Sequence, residues 1–325
     1  MGTSVRHWKQ RLVLVCLALG SVCGQLAFDF YANSCPRVEA VVANAIRSAT
    51  FFDSTLPPKL LRLMFHDCFI EGCDGSILVD STANHTAEKE DESNKTVDGY
   101  AAIDSAKSAL EFFCPGVVSC ADIVALAARE AVIMMGGPQV QIPMGRRDGL
   151  ISKVSNVRGN IPDTTLTLDQ LTKVFNSKGL SQKDLIVLSG AHTVGLAHCF
   201  AFNERFHFSS NGSVKVDSTL DPGFARQLLQ ACPERPNPRV AVAIDPTTPN
   251  AFDNAYYRNL QNGKGLFGSD QVLFTDRRSR QAVNSLSGDS REFFGSWADS
   301  FLKLSVVHTK TGNQGEVRRR CRAFN

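Results

Sequence analysis

The chain has 325 residues, is 43% hydrophobic and carries a formal net charge of +3. That is enough apolar material for a sizeable core, in one large domain or two lobes. The excess charge sits in residues 1–24 (Arg6, Lys9, Arg11 and no acid), so the remainder is neutral. A neutral chain gives no reason to expect nucleic acid or an acidic membrane surface as a partner.

Residues 1–24 read as a secretory signal. A positive start precedes the apolar run Leu12 to Leu19, and Val22 and Gly24 are small residues at the spacing of a cut before Gln25. The run is too short to span a membrane. Cys16 and Cys23 leave with this segment, and the eight remaining cysteines suit four disulfides in an exported chain. Sequence alone leaves 105 pairings open, with Cys68–Cys73 the natural local one. Asn84, Asn94 and Asn211 open N-x-S/T sequons, which also suits export.

After the signal, Val38, Val41, Val42, Ala45 and Ile46 recur at helical spacing. A second helix starts at Pro57-Pro58 and carries Leu60 to Phe65. Asp80 to Gly99 reads as a long polar loop. Ala101 to Phe112 is helical, and Ser119 to Met135, rich in Ala, Ile and Val, is expected as a buried central helix. Gln139 to Pro162 suggests short strands or turns. Thr167 to Ser177 and Ser181 to Ser189 are helices, the latter with Asp184 placed for a capping box. Leu196 to Phe206 is expected to continue as helix and Ser209 to Leu220 as loop. Pro222 to Gln230, Phe252 to Leu260, Arg277 to Leu286 and Arg291 to Leu304 are further helices. Few stretches alternate with period two, so the class is mainly α.

Two stretches carry chemistry. In Leu60 to Ser76, Arg62 and His66 are four residues apart, one turn along a single face of an otherwise apolar helix. Asp67, Asp74 and Ser76 then place oxygen side chains around a short loop, suited to a hard cation such as calcium but not in EF-hand spacing. In Ser189 to Gly195, His192 sits among small residues that would allow close approach of something large and flat. Thr193, with Asp245, Thr248 and Asp253, offers a second oxygen-rich set without a lysine. Asp270, after a tight turn at Gly263 to Gly265, is placed to accept the second N–H of a ligating His192. Zinc would need more free nitrogen or sulfur ligands, whereas a haem iron needs one protein ligand. The basic run Arg318-Arg319-Arg320 reads as a solvated rim, and Arg146-Arg147-Asp148 as a buried ion-pair network.

R-x-x-F-H-D-C-F-x-x-G-C-D-G-S, V-S-C-A-D-I, L-S-G-A-H-T-x-G, F-D-N-x-Y-Y and G-S-D-Q follow one another in this order. Together they resemble the plant secretory haem peroxidases, the class of horseradish peroxidase, from Gln25 to Asn325. The resemblance implies a signal peptide over 1–24 and, over 25–325, a mainly α fold whose distal and proximal helical lobes sandwich haem b. It implies reduction of hydrogen peroxide and one-electron oxidation of small phenolic or other aromatic donors through a ferryl intermediate. His66 would be the distal acid–base residue, Arg62 the distal cation and Asn94 the residue that orients His66, with Phe65 shaping the pocket and Glu88 supporting Asn94. His192 would ligate iron, with Asp270 behind it, and Pro162 would mark the donor edge. Asp67, Ile70, Gly72, Asp74 and Ser76 would hold a distal calcium, and Thr193, Asp245, Thr248, Ala251 and Asp253 a proximal one. The implied disulfides are Cys35–Cys114, Cys68–Cys73, Cys120–Cys321 and Cys199–Cys232, in an extracellular monomer without nucleic-acid or membrane partners.

Asp98 departs from the family, which more often has arginine there. Asn94 opens a sequon yet is assigned a buried role, so it is expected to be unglycosylated. A catalytically silent, calcium-stabilised wall protein of the same fold is the alternative, and a secreted metal hydrolase a third.

Overall fold

The structure, a computed structural model, describes residues 25–325; the expected signal segment lies outside the described residues. Helices α1 (Val38–Phe52), α2 (Leu56–Ile70), α3 (Tyr100–Phe113) and α4 (Cys120–Met134) pack as one group, with α2 along α4 and α1 against both α3 and α4. Pro57 and Pro58 stand in the first turn of α2, where their missing N–H groups would have had no helical partner. Ser119 caps α4 by accepting from the Asp122 amide at 3.1 Å. From Cys120 to Val132 every residue of α4 except Arg129 is buried, so this helix runs through the centre.

The second group holds α5 (Leu168–Ser177), α6 (Gln182–Ser189), α7 (Pro222–Ala231), α8 (Ala255–Gln261), α9 (Gly268–Thr275), α10 (Arg277–Gly288) and α11 (Ser290–Ser305). Helix α11 touches both α6 and α2 and so joins the groups. One apolar cluster runs through both, from Leu60 and Ile123 to Tyr257 and Trp297. A smaller one gathers Phe202, Phe206, Phe224 and Leu228. Among the described residues no helix is long and apolar enough to cross a membrane.

Two sequence expectations change in the second group. Leu196 to Phe206 is not a helix: β1 (Leu196–His198) pairs antiparallel with β4 (Ala241–Ala243), and Cys199–Arg205 winds as 3-10 turns interrupted at Phe202. Strand pairing across more than forty residues overrides the local helical spacing. The expected loop after it holds a hairpin, β2 (Phe206–Phe208) with β3 (Val214–Val216), turning at Asn211-Gly212. Helix α9 was hidden by its Gly-Ser start and by the lack of a capping side chain at Phe267.

All four implied disulfides form, with Cα–Cα distances of 5.8, 4.0, 5.6 and 5.5 Å from the N-terminal pair onward. Arg318 corrects the solvated-rim reading, because it is fully buried while Arg319 and Arg320 are exposed. Its guanidinium donates to the carbonyls of Gly75 and Cys321 at 2.9 and 2.8 Å, and its amide to Asp148 at 2.8 Å. Arg146 is also buried, but its ion partner is Asp122 at 2.7 Å rather than its neighbour Asp148. Carbonyl acceptors around a buried guanidinium offset part of the desolvation cost of its charge.

Asp184 couples α6 to α11. It forms the expected capping box with Ser181 and accepts from Ser300 at 2.8 Å and Lys303 at 2.9 Å. Burial alone would raise its pKa, but Lys303 and Ser181 hold it at about 2, below 3.8. A depressed folded-state pKa gives stability that is present above the unfolded value and lost as pH falls toward the folded one. Asp184→Asn is therefore expected to cost about 2 kcal/mol at neutral pH. In denaturant titrations the gap to wild type closes as pH drops from 3.8 to about 2.

Candidate active site

Helix α2 delivers Arg62 and His66 to one wall. His66 is buried, and its Nδ1 lies 2.7 Å from Asn94 Oδ1. The Asn94 amide nitrogen donates to the Glu88 carbonyl at 2.8 Å, which turns its oxygen toward His66. An amide oxygen only accepts, so His66 carries its proton on Nδ1 and leaves Nε2 bare. Burial, reinforced by the Arg62 charge, pushes the imidazole pKa down to about 3, so the ring is neutral at ordinary pH. Arg62 donates to the Thr96 carbonyl at 2.8 Å and the Ser93 carbonyl at 3.0 Å. Both distal side chains are thus held by the same segment, 93–96. Phe65 is half-buried against Phe69, ring centroids 4.3 Å apart. Asp98 pairs with Lys59 at 3.1 Å on the surface and leaves the Asn94 geometry intact.

His192 stands on the 3-10 turn Gly190–Thr193 that ends α6. Its Nδ1 is 2.7 Å from Asp270 Oδ1, at the start of α9. Of the His192 side chain 39% reaches solvent, while Asp270 is buried. Burial disfavours the cation, but the Asp270 charge and hydrogen bond outweigh it and raise the pKa above 6.5. The Arg62 charge opposes protonation of both His66 and His192. Gly190 has a different role from the one its small size suggests. A Cβ there would stand 2.5 Å from the Tyr257 hydroxyl and 2.7 Å from Phe293, so it serves packing of α6 on α8 and α11. Pro162 is half-buried in the loop before α5, apart from this hydrogen-bonded network.

The proximal oxygen set converges. Thr193 Oγ1 is 3.1 Å from Asp245 Oδ2, 3.3 Å from Asp253 Oδ1 and 3.5 Å from the Ala251 carbonyl, and Thr248 Oγ1 is 3.1 Å from Asp253 Oδ1. The β1–β4 pairing, with Leu196 opposite Ala243, brings the strands that lead to Thr193 and Asp245 side by side.

The distal set is buried as well. Asp67 Oδ2 accepts from the Gly75 amide at 2.9 Å and Asp74 Oδ1 from the Ser76 amide at 3.0 Å. Burial and then the neighbouring Asp74 push Asp67 up to about 8. Burial, then Asp67 and Asp74, push Glu88 up to about 9. Such crowded acids call for a cation. The Gly72 carbonyl accepts from the Asp74 amide at 2.8 Å, and Lys178 approaches the Ile70 carbonyl at 3.4 Å. Lys310 contacts Asp74 Oδ2, a cation from the chain itself that sequence reading missed. No local signal marks it, because 236 residues separate the pair. Glu88 Oε2 accepts from Ser76 Oγ at 3.2 Å, so a continuous path runs from this loop through Glu88 and Asn94 to His66. Among the described residues no group of three or more His, Cys, Asp and Glu is arranged to hold a metal, and each oxygen set consists of two carboxylates with hydroxyl and carbonyl oxygens beside them.

A family model described as Peroxidase matches residues 38–289. The chain is 51% identical to Peroxidase 46 of Arabidopsis thaliana over 301 residues, covering 92% of this chain and 91% of that one. It is 48% identical to Peroxidase 18 of the same plant over 315 residues (96% and 95% covered) and 47% identical to Peroxidase 55 over 303 residues (93% and 91%). The chain belongs to the peroxidase family. It is a peroxidase enzyme, an oxidoreductase, and its plant relatives agree with the resemblance its motifs carry.

Asn94 is 1% exposed with both amide atoms engaged, whereas Asn84 and Asn211 are exposed in tight turns. Glycopeptide mass spectrometry of the plant-expressed protein should find glycans on Asn84 or Asn211 and none on Asn94. A glycan on Asn94 would remove it from the distal site.

Proposed function

We propose that this peroxidase binds haem b between the α2 wall and the His192 turn, and uses it to reduce hydrogen peroxide at the expense of small phenolic or other aromatic donors. The residues fit the group. His192 is held by Asp270 through one nitrogen and keeps the other free, on a ring that is partly open. His66 and Arg62 stand one turn apart on α2 and would serve the other face of the group. The bound iron would supply the redox chemistry that splits the peroxide bond.

The chain's own part is proton handling and charge. His66 Nε2, bare because Nδ1 donates to Asn94, takes the proton from one peroxide oxygen and returns it to the departing one as water. Arg62 stabilises the negative charge that develops as the O–O bond lengthens. Asn94 keeps the ring in the tautomer this requires. Asp270 enriches His192 in electrons, which favours the more oxidised iron. Donors would meet the group's edge, where the family resemblance puts Pro162. Both walls come from one chain, so a monomer suffices.

We assign calcium to both oxygen sets. The proximal set supports this through five converging donors, and the distal set through its raised acids, with Lys310 as the rival cation. Each ion would fix the backbone beside a histidine, through Thr193 next to His192 and Asp67 next to His66. Residues 1–24 direct export and are removed, leaving a peroxidase domain over 25–325 in the extracellular space.

The His66–Asn94 bond beside Arg62 carries this reading. Replacing His66 by leucine is expected to slow the peroxide step ~10²–10⁴-fold in stopped-flow, with the Soret band retained; an unchanged rate defeats the assignment. Chelation should lower activity and thermal midpoint together, and calcium should restore both. Full activity at an unaltered midpoint after verified metal loss would remove calcium from the account.

A further inference from the structure

The Asp270 carboxylate behind His192 has a second donor. Tyr256 on α8 directs its hydroxyl to Asp270 Oδ1 at 2.9 Å, the same oxygen that His192 Nδ1 reaches at 2.7 Å. Asp270 Oδ2 is buried and has no partner, so both bonds compete for one oxygen. Tyr256 is buried, and its ring meets the His192 ring edge-on with centroids 6.2 Å apart. Phe267 also meets the imidazole edge-on, with centroids 5.3 Å apart. The tyrosine is therefore placed by packing before its hydroxyl is considered.

We propose that Tyr256 is a positioning residue that tunes the iron: by sharing Asp270 Oδ1 it weakens the carboxylate's hold on the His192 proton and limits how electron-rich the iron ligand becomes. This rests on the proposed ligation by His192. A carboxylate oxygen that accepts one hydrogen bond is a stronger acceptor than one dividing itself between two. The stronger its pull on the Nδ1 proton, the more anionic the imidazole and the better oxidised iron is stabilised. Desolvation, then the Asp270 charge, raises the tyrosine pKa well above 10, so the hydroxyl stays a donor. Arg205, buried and paired with Asp217 at 2.9 Å, is the cation whose field also reaches Asp270. It is not a hydrogen-bond partner of Oδ1, so the division of that oxygen belongs to Tyr256 and His192.

The test is spectroelectrochemistry and resonance Raman on the haem-loaded enzyme. Tyr256→Phe removes one oxygen and keeps the ring. It is expected to shift the ferric/ferrous midpoint to more negative potential and raise the iron–imidazole stretching frequency of the reduced form. Placing 3-fluorotyrosine at 256, a stronger donor, should shift both the opposite way, and it serves if the phenylalanine variant does not hold haem. Opposed shifts support the proposal. Midpoints and frequencies that stay at wild type in both variants, or shift in one direction in both, overturn it. Asp270→Asn separates the two levels. If it moves the potential and the Tyr256 variants do not, the tuning role alone fails. If it moves nothing, or if the wild type takes up no haem, the His192 reading fails and this inference with it.

Discussion

The hydrogen bond between His66 and Asn94 decides which nitrogen of a buried imidazole carries the proton, and much of the structure exists to hold it. Asn94 cannot rotate, because its nitrogen is committed to the Glu88 carbonyl. Glu88 is fixed in turn through Ser76 and through its amide to Ser152 at 3.2 Å. The chain of contacts ends at Ser76, just beyond the loop closed by Cys68–Cys73. A neutral base inside protein is therefore a property of a whole network and not of one side chain.

The proximal wall solves the converse problem. There a carboxylate is buried to shape a histidine that remains reachable. Asp270 begins a short helix, so its position follows from backbone geometry, and its oxygen is divided between an imidazole and a phenol. The two histidines are thus driven apart electrically. One is lowered by burial and an arginine, while the other is raised by an aspartate. The same residue type serves two roles because its surroundings differ in sign.

Much of this was readable from the chain. The Arg62–His66 spacing, the small loop and the capping signals at Ser119 and Ser181 are local patterns, and the helices followed from them. The mainly α class followed from the scarcity of period-two alternation and the side-chain oxygen sets from local clusters, whereas the disulfide pairing came from the ordered motifs. What stayed hidden is non-local. Lys310 on Asp74, Arg318 under Gly75 and Tyr256 on Asp270 each depend on elements far apart or on a side chain's direction. Leu196 to Phe206 misled because strand pairing with a distant partner outweighed its helical spacing.

The tail that ends the chain also completes its beginning. Cys321 is bonded to Cys120, and Arg318 fills the underside of the loop at Gly75. Neither contact can form before residues 318–321 have been made. Until then Cys120 lacks its disulfide partner and the Gly75 carbonyl its buried donor. The first helical group is therefore locked by residues from the far end of the sequence, and conditions that keep Cys120 and Cys321 reduced would leave that lock open.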